Sequence, residues 1–142
     1  MRNLLFSPEA RWPAGLAVVR LITGLLMARH GLDVFDAAGM REMGTWLNTG
    51  LHLPAGHLLA YLAKGTEFFG GLLLAVGLLT RVAAVLLIIT MLVAVFGAHA
   101  DSILDKGQVA LLFLLLFGAF LCAGPGRWSL DYWLTTRRGL KR

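Results

Sequence analysis

Cysteine is nearly missing from this chain: Cys122 stands alone among 142 residues. No disulfide can close within the chain and dithiol exchange is excluded. Any redox role would have to use a bound cofactor, a quinone or a partner. Charge is scarce as well, 15% of residues against 58% hydrophobic. With a mean hydropathy of +0.74, that balance is too apolar for a soluble domain of this length and places the chain in a bilayer. Acids are the rarer sign, 8 against 13 Lys and Arg, for a net charge of +5 and a pI near 10.2. The basic residues are few and flank apolar runs, so they report topology and contact with anionic headgroups, and nucleic acid is excluded as a partner.

Apolar runs are abundant. Crossing about 30 Å of hydrocarbon takes roughly 20 mostly apolar helical residues, because backbone groups in lipid must be satisfied within the segment. Four stretches qualify, at about 13–30, 58–79, 82–98 and 108–123. The first carries Arg20, the second Lys64 and Glu67, the third no charge at all. The fourth ends at Gly124-Pro125-Gly126, where a proline between glycines stops a helix. The first run is too long for a cleavable signal peptide, contains Arg20 and lacks a small-residue cleavage pattern before His30. The expected fold is an all-α, four-helix transmembrane bundle forming one domain over 1–142.

Basic residues sort unevenly across alternate loops. Arg2, Arg11, Arg81, Arg127, Arg137, Arg138, Lys141 and Arg142 fall on one side, and Arg29, Arg41 and Lys106 on the other. The positive-inside rule then predicts both termini in the cytoplasm. Ser129 as N-cap and Asp131 in the first turn predict a short C-terminal helix, with Trp128, Tyr132 and Trp133 at headgroup level. The opposite face gathers His30, His52, His57 and His99 with Asp33, Asp36, Glu42, Asp101 and Asp105. Imidazole and carboxylate together can relay protons or bind a divalent cation. No pair has a recognised metal spacing, so solvated interfacial residues are the favoured reading and no metal site is assigned.

Glu67 is the most informative residue. A carboxylate in hydrocarbon costs a few kcal/mol or more and needs a partner. At 1.5 Å per residue, Arg20 lies about 10 Å and Glu67 about 18 Å from the cytoplasmic side. An arginine fork can span most of that gap and suits a carboxylate. Arg20 is therefore the preferred partner, Lys64 the local alternative one turn away, and a protonated Glu67 facing a ligand or lipid the third reading. In step with Arg20 on the first helix run the small residues Gly24, Ala28 and Gly31, and the second offers Thr66, Gly70, Gly71 and Gly77. Such spacing lets helices approach closely in lipid and predicts that the first helix packs on the second. Phe35, Phe68, Phe69 and Phe96 are read as lipid-facing or core rather than pocket-lining, and Cys122 as a small packing residue.

Three separated motifs carry a resemblance. They are Arg20 to Gly24 followed by His30-Gly31; Glu67-Phe68-Phe69-Gly70-Gly71 continuing to Gly77 and Thr80-Arg81; and Gly124-Pro125-Gly126-Arg127-Trp128-Ser129-Leu130-Asp131. In this order, over nearly the whole chain, they resemble the DoxX family of small bacterial membrane proteins. The resemblance implies a four-helix bundle with both termini inside, in the bacterial inner membrane. It also implies a link to redox or oxidative-stress membrane systems, with soluble or membrane redox enzymes as partners. The family commonly carries a lysine shortly after His-Gly, where this chain reads Leu32-Asp33-Val34-Phe35.

Three functional readings follow. A cleft between helices can hold a quinone or similar amphipathic ligand, with Arg20, Glu67, Lys64, His30 or His99 supplying hydrogen bonds and proton transfer. Alternatively the protein is a non-catalytic accessory or assembly subunit whose buried pair serves packing. A small-solute carrier is the weaker third reading, for want of a repeat. The charge-free third span and the Gly118, Ala119, Cys122 and Ala123 surface leave room for a homodimer.

Overall fold

A computed structural model describes residues 12–98 and 102–137. Helix α1 runs from Trp12 to Gly31 and passes into a 3₁₀ turn, Leu32–Phe35. Helix α2 spans Ala37–Thr49, α3 Gly56–Gly65, α4 Gly71–Val76, α5 Thr80–Val93, α6 Gln108–Ala123 and α7 Leu130–Arg137. A π-helical segment, Thr66–Gly70, joins α3 to α4 without a break, and another, Ala94–Ala98, extends α5. The fold is all-helical among the described residues.

Among the described residues three helices are long and apolar enough to cross a membrane: Gly15–Phe35, Gly56–Val76 and Thr80–Ala98. The apolar helix α6 has 16 residues, about 24 Å of rise, and is shorter than the other three. The second expected span, 58–79, is shifted: its helix starts at Gly56 and stops at Val76. Gly77 (φ 71°) and Leu79 (φ 49°) turn the chain through the left-handed region, so α5 already begins at Thr80.

Close approach of backbones explains the placement of α1. A side chain at Gly24 would meet Ala75 N at 2.5 Å and Gly71 O at 2.6 Å; one at Gly71 would meet Ala28 N at 2.5 Å and Gly24 O at 2.7 Å. The two glycines face each other across the α1/α4 crossing, where dispersion and Cα–H contacts replace the hydrophobic drive that lipid removes. Gly31 sits equally close to the backbone of Phe68. Gly70 faces elsewhere, toward Leu87 of α5 at 3.2 Å.

The main core joins α1, α4, α5 and α6 through Met27, Leu74, Leu87, Met91, Phe113, Phe117 and Phe120. A second cluster, Met40, Leu47 and Ala60, fastens α2 onto α3. Helix α2 was not foreseen in the sequence. It starts because Asp36 Oδ1 accepts a hydrogen bond from Ala38 N at 3.0 Å, and it presents Met40, Gly44 and Leu47 to the protein at helical spacing. Asn48 Oδ1 accepts from Gly56 N at 2.7 Å and closes the α2/α3 hairpin.

Candidate functional site: a paired lysine and glutamate between two cavities

Two polar clusters lie toward opposite ends of α1. The first is centred on Lys64, in the last turn of α3. Lys64 Nζ lies 2.9 Å from Glu67 Oε2 and 3.2 Å from Asp33 Oδ2, and donates to His30 O at 3.3 Å. The ammonium thus ties the end of α1 and its 3₁₀ turn to the π-helical segment. The lysine and glutamate side chains keep 16% and 10% of their surface, whereas Asp33 keeps 65%. Burial on one side and solvated Asp33 on the other place the pair at the edge of the apolar interior.

Glu67 and Lys64 border two cavities. The larger, about 350 Å³, is walled by α3, the first π segment and α5 and roofed by Met43, Trp46 and Leu47 of α2. Its lining is apolar apart from Lys64, Thr66, Glu67, Thr90 and the Trp46 indole. The smaller, about 240 Å³, lies on the α1/α6 side and adds His30 and Lys106. Ala94, at the start of the second π segment, lines both. Both π-helical segments therefore contribute to the cavity walls, the kind of place where such bulges gather in proteins.

The second cluster is centred on Arg20, which is 4% exposed. Its guanidinium donates to Pro125 O and to Trp128 O, the latter at 2.7 Å. The Arg20 to Glu67 pair expected from depth is thereby replaced: Glu67 takes Lys64, and Arg20 takes carbonyls of the Gly124–Asp131 turn. Depth along the membrane normal placed the Cα atoms but not the direction in which the arginine extends. Gly77 packs against this guanidinium and Ser129, each about 2.7 Å from where its side chain would begin. Asp131 accepts from Leu79 N (2.8 Å), Thr80 N (2.9 Å) and Thr80 Oγ1 (3.0 Å), and so caps α5. Ser129 Oγ caps α7 by accepting from Tyr132 N at 3.1 Å.

Of the remaining candidates, His30 stays beside the pair at the smaller cavity. His30 packs edge-on against Phe113, ring centroids 5.8 Å apart. His99 lies outside the described residues. Cys122 is exposed on α6, not packed. Phe35, Phe68 and Phe69 form a chain of edge-to-face contacts at 5.4 and 5.1 Å, and neither these nor Phe96 line the two cavities. Among the described residues no three His, Cys, Asp or Glu side chains converge on a possible metal position. Asp33, Asp131 and the α2 roof were missed as site residues; for α2 the available signal was Asp36 followed by Met40, Met43 and Leu47 at helical spacing.

Apolar helices packed through glycines around a charged pair define a helical membrane protein. The DoxX family profile matches residues 15–100, and the chain belongs to the DoxX family. An uncharacterized membrane protein of Mycobacterium tuberculosis is 31% identical, covering 91% of this chain and 86% of the relative. An uncharacterized protein of Haemophilus influenzae is 32% identical, covering 92% of this chain and 96% of the relative. No solved structure matches. Both alignments are long enough to extend past residue 100, toward the turn that holds Arg20.

Proposed function

We propose that the protein is a four-span protein of the bacterial inner membrane, both termini cytoplasmic, that binds an amphipathic ligand of the quinone kind beside Lys64 and Glu67. The observation that carries this reading is the cavity of about 350 Å³, whose apolar walls are interrupted at one place by a charged pair. Such a cavity suits a ligand with an apolar body and one polar head. The orientation rests on the excess of Lys and Arg at the end that holds both termini and Arg81. Helix α6 completes the bundle by packing Phe113, Phe117 and Phe120 into the core, and its short length fits a locally thinned or tilted crossing. The redox setting, with partner enzymes, follows from the family resemblance.

Purification in mild detergent, followed by organic extraction and mass spectrometry, tests the reading. A near-stoichiometric quinone or similar amphiphile supports it. A second reading, an accessory subunit without ligand, draws on the way Lys64 also holds α1 to the π segment. An extract without ligand and a copurifying partner protein would favour that one.

A further inference from the structure

The Glu67 carboxylate is occupied on one side only. Its Oε2 accepts from Lys64 Nζ, while Oε1 accepts no hydrogen bond among the described residues. Nor is Oε1 sealed, since Arg20 Nε is the one side-chain nitrogen or oxygen there that is both enclosed and unpartnered. Glu67 borders both cavities, so space adjoins its carboxylate.

Lys64 is in the opposite condition. An ammonium has three N–H donors, and three acceptors surround this one: Glu67 Oε2, Asp33 Oδ2 and His30 O. Thr90 Oγ1 donates to Leu87 O at 2.8 Å, so toward the cavity it can only accept. In the larger cavity the charged part of the wall thus has a spare acceptor and no spare donor, Lys106 lining only the smaller one.

We infer that the cavity selects a ligand whose polar head donates a hydrogen bond to Glu67 Oε1: a phenol or alcohol on an apolar body. Of a quinone couple it holds the reduced, hydroxyl-bearing member. This rests on the ligand-cavity reading above and adds the chemistry of the head. A head carrying only carbonyl or ether oxygens would have to draw Lys64 away from one of its acceptors. Its other recourse is a neutral donor such as the Thr66 hydroxyl, and neutral hydrogen bonds are about half as strong as those to an ionised group.

The test compares p-nonylphenol with p-nonylanisole, which share an apolar body and differ in O–H against O–CH₃. Each is titrated against the full chain in lipid nanodiscs, bound ligand is quantified by mass spectrometry, and uptake by protein-free nanodiscs is subtracted. The phenol should bind at least ~10-fold more tightly, as a hydrogen bond to a charged group implies. That preference should vanish in the Lys64→Met/Glu67→Met double variant, which replaces the pair by apolar chains and keeps the cavity. Equal affinities in the wild type, or a preference undiminished in the double variant, would overturn the inference while leaving a ligand cavity standing. Binding of neither probe would overturn the cavity reading and this inference with it. If the double variant does not fold, infrared difference spectra of the wild type decide: carboxylate bands shift on adding the phenol and not the anisole, and unshifted bands overturn the inference.

Discussion

Replacing Asp131 by alanine should loosen the start of α5 from a position 51 residues away in sequence. Asp131 accepts three hydrogen bonds there, from Leu79 N, Thr80 N and Thr80 Oγ1, at 2.8, 2.9 and 3.0 Å. Losing a helix N-cap costs about 0.5–2 kcal/mol. Thr80 is fully buried, so its hydroxyl would be left without an acceptor at a further cost of about 1–3 kcal/mol. The two overlap, because one carboxylate supplies both, and a total of about 2–4 kcal/mol follows. At 1.4 kcal/mol per decade, that is roughly a 30- to 700-fold shift in the unfolding equilibrium. Unfolding in mixed detergent micelles measures the total, and amide hydrogen exchange at Leu79 and Thr80 gives the local readout. Asp131→Asn, which keeps one acceptor oxygen, should fall in between. Unchanged protection of both amides in Asp131→Ala, with stability within about 0.5 kcal/mol of wild type, would refute the capping role.

Other substitutions probe different contacts. Glu67→Gln weakens the pair while Lys64 keeps Asp33 and His30 O, so stability in the same assay should fall by about 2 kcal/mol, below the range for a fully isolated buried charge. Lys64→Met/Glu67→Met should recover most of that loss, since apolar replacement of a buried pair is often neutral. Gly71→Ala pushes a methyl into the backbone of Ala28 and Gly24; a loss of about 2 kcal/mol or more is expected, and a neutral result would contradict the close α1/α4 crossing. Gly77→Ala combines a left-handed φ of 71° with contact to Arg20 and Ser129, so a loss above the about 1–2 kcal/mol of the backbone alone is expected.

The apolar helices were legible because hydropathy over some twenty residues is a strong signal, although α5 begins at Thr80 and so takes in Arg81, which was read as part of the turn before a charge-free span. Helix α2 escaped because Arg41 and Glu42 make it read as an outer loop, although its buried face is regular. The pairing of charges was harder. Lys64 and Glu67 are three residues apart, and their meeting was open to a local rule. Arg20 takes its partners 105 and 108 residues onward, and both are backbone carbonyls. No charge pattern announces a carbonyl as the acceptor. The open oxygen of Glu67 gains its meaning from the cavities, and the larger of these needs the α2 roof of Met43, Trp46 and Leu47, which the sequence reading lacked.

The most direct test of the account is ligand occupancy in the wild type beside Ala63→Phe, a variant that fills the larger cavity from its wall and retains the Lys64 and Glu67 side chains. Both proteins are purified from the same membranes, checked for equal stability, and extracted for quantitative mass spectrometry. The account predicts about one amphipathic ligand per wild-type chain and a large loss in the variant. Equal occupancy in the two, or none in the wild type, would contradict it.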